Sequence, residues 1–304
     1  MLRVFFVKLL LRIVSWFSLP TIHMLGGITG RILNSYANEL SKVASRNVQL
    51  CFPDLSREER KKLIRDSLME TGKSVFECAA LWLWPKDRVV GLVKQVSGWE
   101  LLDEAAARGK GVILAVPHLG SWEVMGNYVP AYFKMNALYR PQRTPALNRL
   151  IIAARERTGV KLAPTSPSGI RSLYKALAQG ELIFILPDQE PGREAGVFAP
   201  FFGIQANTMT LISRLARKSG ATVLIGYAER LPGGKGYHIH ISSGPECLVD
   251  KDVSVAAACL NNAMEECARK LPAQYQWAYR RFKTRPDGED RLYTRVSLRD
   301  SFDE

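Results

Sequence analysis

His118 and Glu123 lie five residues apart in GVILAVPHLGSWE, the stretch from Gly111 to Glu123. They offer an imidazole that can take a proton and a carboxylate that can orient it. Within one helix that separation would set the pair roughly 140° apart, at about 3.6 residues per turn, and they would not meet. A turn between them removes the obstacle. Val112 to Val116 is a continuous apolar run, the pattern of a strand buried on both faces of a mainly parallel sheet. Pro117 ends it, Gly120 and Ser121 turn the chain, and Ser121 is the expected N-cap of a helix through Trp122, Glu123, Val124 and Met125. His118 thus falls just past the carboxyl end of a central strand, where open α/β sheets bind ligands. The bare H-x4-E spacing reads equally as a loop histidine beside a capping carboxylate; its strand-turn-helix setting favours chemistry. The other histidines, 23, 238 and 240, fall in an apolar amino-terminal segment and in an outer strand.

Two more stretches end on the same rim. Tyr139, Arg140, Pro141, Gln142 and Arg143 leave a short apolar strand. From Lys134 to Lys161 there are seven basic residues and one acidic, Glu156, an asymmetry that suits an anion site. Arg140 is the leading candidate there, with Arg143 beside it; Arg149, Arg155 and Arg157 read equally as ordinary basic surface. Asp188, after the apolar run Leu182 to Leu186, can pair with Arg140 or orient a substrate hydroxyl, or be a plain turn aspartate. In GVFAPFFG, Gly196 to Gly203, Phe201 and Phe202 can line an apolar groove next to Thr208, or serve as core aromatics.

These residues are carried by an alternation of helices and strands without repeats, the pattern of a three-layer α/β fold with a mainly parallel central sheet flanked by helices. A capping box at Ser56 and Glu59 opens one helix, a nearly all-apolar helix runs from Ser74 to Trp84, and Gly109, Gly159 and Gly180 stop others. Asn207 to Lys218 and Ser254 to Leu271 read as helices, Thr222 to Glu229 and Tyr237 to Ile241 as strands.

The chain has 304 residues and a formal charge of +13, with 47% hydrophobic residues. That core is substantial, and the charge favours polyanionic partners. No nucleic-acid-binding signature accompanies it, so charge is the sole argument for that class. The five cysteines show neither CxxC nor zinc spacing, and free thiols in a reducing compartment are expected. There is no HExxH, GxxxxGK or glycine-rich dinucleotide fingerprint, so no metal or nucleotide cofactor is expected. Residues 1–30 begin with Arg3, Lys8 and Arg12 and continue uncharged from Ile13 to Gly30, eighteen residues interrupted by Pro20, Gly26 and Gly27. This reads as a membrane anchor with its basic end at the cytoplasmic surface, either a short span or an in-plane helix, ahead of a 31–304 catalytic domain. The alternative is a buried first helix.

HLGSWE after a buried strand, YRP, LPDQEPG with VFAPFFG, the NVQLCFPDLSREER segment and the QYQWAYRRFKTRP tail, taken in order, resemble the lysophospholipid acyltransferase superfamily. Within it the chain resembles the bacterial lipid A secondary acyltransferases. One departure is Tyr279, where relatives often have a histidine before the paired arginines. The resemblance implies a glycerolipid acyltransferase-like fold at the bacterial inner membrane, working on the cytoplasmic face. It implies transfer of an acyl chain from an acyl carrier protein thioester to a hydroxyl on a phosphorylated glucosamine-disaccharide lipid. It assigns His118 as general base, Glu123 as its partner, Arg140 to a phosphate or the oxyanion, and Asp188 to positioning. A glycerophospholipid, inositol-mannoside or aminolipid acceptor fits the same motifs around His118.

Overall fold

The computed structural model describes residues 2–142, 144–192 and 195–303. The chain begins with helices α1 (Leu2–Val14), α2 (Leu19–Asn34), α3 (Glu39–Cys51), α4 (Arg57–Leu83) and α5 (Lys86–Val90). Strands and helices then alternate: β1 (Val93–Ser97), α6 (Trp99–Ala107), β2 (Val112–Ala115), α7 (Trp122–Tyr128), β3 (Met135–Tyr139), α8 (Pro145–Glu156), β4 (Lys161–Pro164), α9 (Pro167–Ala178) and β5 (Leu182–Ile185). A hairpin, β6 (Gly196–Phe201) and β7 (Ile204–Met209), precedes α10 (Leu211–Ser219), β8 (Thr222–Arg230), β9 (Tyr237–Ser243), α11 (Val253–Lys270) and α12 (Arg295–Asp303).

The main sheet has the order β1-β9-β8-β2-β5-β3-β4. The five strands from β8 to β4 run parallel, and β9 turns back antiparallel to β8 with β1 parallel beside it. All four residues of β2 are buried, because helices cover both faces. Val112, Leu114 and Val116 face one core with Leu102, Val124 and Met125; Ile113 and Ala115 face the other with Leu173, Leu215 and Leu260. This period-two alternation makes the expected three layers.

Several expectations are corrected. The Ser56 capping box forms, but the helix it opens continues unbroken to Leu83 and absorbs the separate helix expected from Ser74. Asn207 lies in β7, and helix begins only at Leu211; VFAPFFG is one arm of a hairpin whose turn uses Phe202 and Gly203, both at positive φ. Cys247 and Cys259 form a disulfide with Cα atoms 5.9 Å apart, within bridging range. Cys51, Cys78 and Cys267 are free thiols.

Among the described residues, no helix is long and apolar enough to cross a membrane. Ser15 to Ser18 break the uncharged stretch into α1 and α2, and Gly30 lies inside α2. Gly26 and Gly30 are the crossing point of α2 on α4. A Cβ on Gly30 would stand 2.1 Å from the Leu68 carbonyl oxygen, and one on Gly72 would stand 2.0 Å from that of Gly26. The amino-terminal helices leave apolar side chains open: Phe6 and Leu10 of α1, Trp16 of the link, and Met24, Ile28 and Ile32 of α2 are each at least half exposed.

Candidate active site

β2 delivers His118 at the sheet's carboxyl edge. The turn after it is fixed by backbone bonds: Gly120 N–H donates to Gln274 O at 3.0 Å, Ser121 N–H to Ala228 O at 2.8 Å, and Gln276 N–H to His118 O at 3.0 Å. Gly120 has φ +57°, and a Cβ there would lie 2.0 Å from Ala228 O, so the close approach to β8 requires glycine. Tail residues 274–276, remote in sequence, thus clamp the turn.

Beneath it is a buried charged cluster. Glu77 Oε1 accepts from Ser121 Oγ at 2.7 Å and Arg230 Nη2 at 2.6 Å. Its Oε2 accepts from Arg230 Nε and Tyr237 OH, each at 2.9 Å, and lies 3.1 Å from His23 Nε2. Arg230 Nη2 also donates to Gly120 O at 2.7 Å. Burial would raise the Glu77 carboxyl, but Arg230 and His23 outweigh it and hold the acid well below the usual carboxylate range. Ser121 therefore caps nothing with its side chain; its hydroxyl is spent on Glu77. α2 contributes His23 to this cluster, tying the amino-terminal helices to the turn.

The carboxylate on His118 is Asp188. Its Oδ1 lies 2.7 Å from His118 Nδ1 and its Oδ2 accepts from the His118 backbone N–H at 2.8 Å. This two-point grip follows from register: β2 and β5 are parallel neighbours with Ala115 opposite Ile185, so the loops after them emerge side by side. Burial would raise the Asp188 carboxyl, yet its contacts with His118 prevail and lower it. With Nδ1 held, Nε2 is the nitrogen left to accept a proton.

Glu123 does not bond to His118, contrary to the expected dyad. α7 turns it instead towards α8, where Arg155 donates to it through Nη2 and through Nε at 3.2 Å, and Trp82 Nε1 donates at 3.1 Å. A buried carboxylate beside a guanidinium makes that pair, leaving His118 to an acid that reaches its backbone as well.

His118, Glu123 and Arg155 share one cavity of about 600 Å³, within the ~300–1,000 Å³ typical of small-molecule sites. Its apolar wall includes Met135, Val160, Leu162, Phe184, Leu186 and Met209, and its guanidinium groups among the described residues are Arg140, Arg155 and Arg214. Arg140 is exposed and occupies the rim, while Arg143 lies outside the described residues. Asp188 is buried behind His118 and lines no part of this cavity, so it does not pair with Arg140. Phe201 and Phe202 are core aromatics, stacked edge to face on each other and beside Trp277; they line no part of the cavity. Nor does Thr208, whose hydroxyl bonds Asn261 at 2.8 Å and Arg281 at 3.1 Å in the interior. No cysteine among the described residues lines the cavity, and burial pushes the Cys78 thiol well up, away from nucleophilic thiolate.

The family model for bacterial lipid A biosynthesis acyltransferases matches residues 1–284. The chain belongs to that family. It is an acyltransferase of lipid A biosynthesis. It is similar to the lipid A biosynthesis lauroyltransferase of Escherichia coli K12, 32% identical over 90% of this chain and 89% of that protein. The palmitoleoyltransferase of the same organism is 32% identical over 90% and 89%, and its myristoyltransferase 28% identical over 88% and 83%. The relatives therefore differ in the acyl chain they are named for while sharing this family's sequence over most of its length.

Proposed function

We propose that this lipid A acyltransferase moves a fatty acyl chain from an acyl carrier protein thioester to a hydroxyl of an acyl chain on a phosphorylated glucosamine-disaccharide lipid, with His118 as general base. The observation that carries this reading is the His118 Nδ1 to Asp188 contact of 2.7 Å at the mouth of an apolar cavity with basic groups. Neutral His118 takes the hydroxyl proton through Nε2 as the oxygen attacks the thioester carbonyl. Asp188 offsets the imidazolium that forms. The tetrahedral intermediate then collapses, the carbon–sulfur bond breaks, and the proton on His118 goes to the departing thiolate. Arg155, held against the cavity by Glu123, supplies positive charge for the oxyanion, and Arg140 at the rim serves an acceptor phosphate. The formal charge of +13 suits an acidic carrier protein, a phosphorylated acceptor and an anionic leaflet alike.

We place the chain on the cytoplasmic face of the bacterial inner membrane, with α1 and α2 lying in the plane of the surface and residues 31–304 as the acyltransferase domain. Exposed Lys8 and Arg12 beside the apolar face of these helices support that placement. The test is transfer by the purified chain from acyl carrier protein thioesters to under-acylated lipid A, read by mass spectrometry. Acylation of glycerophospholipid, inositol-mannoside or aminolipid in its place would reassign the acceptor; thioester hydrolysis without transfer would contradict the reading.

A further inference from the structure

Away from the cavity, β8 and β9 bring three metal-binding side chains together. His238 and His240 alternate on one face of β9, and Glu229 stands opposite His238 in the antiparallel register. Residues i and i+2 of a strand project from the same face, and a cross-strand neighbour completes a triangle. One ligand atom from each of the three lies within 4.8 Å of the other two. His240 Nε2 and Glu229 Oε2 are 3.0 Å apart, near the ~3.3 Å edge of a tetrahedron with bonds of about 2.0–2.1 Å.

The surroundings suit ligation. Ser97 Oγ bonds His238 Nε2 at 2.8 Å, which leaves Nδ1 as the second ring nitrogen and supplies the outer hydrogen bond that metal-bound imidazoles carry. Tyr227 stacks on His240 at 4.7 Å and the two imidazoles lie 3.8 Å apart, so neither ring is free to swing away. All three residues are partly exposed, open to an ion and to a water in a fourth position.

We propose that Glu229, His238 and His240 form a binding site for a zinc-like divalent cation, separate from the acyltransferase centre. A sequence search for ligand spacing misses it because HxH supplies two ligands and the third comes from another strand. Glu229 sits between Ala228 and Arg230, the residues that hold the His118 turn, so a bound ion would stiffen the strand pair behind that turn.

Tag-free full-length chain, stripped with chelator, would be titrated with Zn2+ and with Co2+ alone. The expected results are saturable binding of one ion per chain, the visible absorption of four-coordinate Co2+, and a rise in melting temperature. Glu229→Gln and His240→Gln should each weaken binding by at least about tenfold. Histidine-selective NMR of the unaltered chain keeps the test independent of variant folding: of the four imidazoles, Zn2+ should shift the signals of 238 and 240 and leave 118 and 23 in place. Absence of saturable binding, undiminished binding by both variants, or shifts confined to His118 or His23 would overturn the proposal and leave Glu229 and His240 as a plain ion pair.

Discussion

Replacing Asp188 by asparagine preserves the side chain's shape but removes the charge that would offset an imidazolium. Because both Asp188 oxygens are committed to His118, Asp188→Asn should lower kcat by about 10²–10⁴-fold with KM little changed; near-normal turnover with an unaltered circular dichroism spectrum would contradict its role. Glu123→Gln should act differently. It weakens the hold on Arg155 while leaving His118 and Asp188 in place, so the pH dependence of kcat should keep its shape even as activity falls. The place of His118 just past a buried strand was legible in its sequence setting, but the carboxylate that meets it was not. Nearness along the chain favoured Glu123, whereas the parallel pairing of β2 and β5, which no local pattern encodes, brings Asp188 to the imidazole. Arg155 was equally hidden among seven basic residues, since only the fold shows that it meets a carboxylate.

Elements matter through the turn they hold. Glu77→Gln leaves Arg230 buried without its counter-charge and should destabilise the chain by about 3–5 kcal/mol, the ordinary cost of breaking a buried ion pair. Since the folded state depresses the Glu77 and Asp188 carboxyls, the stability they contribute is full above the unfolded carboxyl range near pH ~4 and is lost as pH falls through their folded values. Urea melts of the unaltered chain should therefore weaken on acidification, and those of Glu77→Gln should weaken less. Gly120→Ala should displace the turn from β8 and abolish activity, measured alongside thermal melting to separate a local shift from global unfolding. β2, β5 and β8 were readable as largely apolar runs between turn residues, and β9 as an alternating strand after the turn at Pro232, Gly233 and Gly234. The hairpin was not, because Asn207, Thr208 and Thr210 resemble a helix start until β6 pairs with β7.

At the scale of the whole molecule, charge and apolar surface coincide at the amino terminus. Exposed Phe6, Leu10 and Trp16 beside Lys8 and Arg12 lead us to expect binding to anionic vesicles that weakens with salt. Serine at Phe6, Leu10 and Trp16 should reduce co-sedimentation and leave thermal melting unchanged. Equal binding to neutral vesicles would argue against the electrostatic part. The uncharged length of residues 13–30 was visible in the sequence, but Gly26 and Gly30 act as a helix crossing on α4, a use that only tertiary packing reveals.

We infer that this chain acylates lipid A through His118. The most direct test is the lipid A mass spectrum of the bacterium carrying it, with the gene deleted and restored as the unaltered form or as His118→Ala. We predict loss of one secondary acyl chain on deletion, recovered with the unaltered form and not with the variant. A spectrum unchanged by deletion, or recovery of the chain by His118→Ala, would contradict the account.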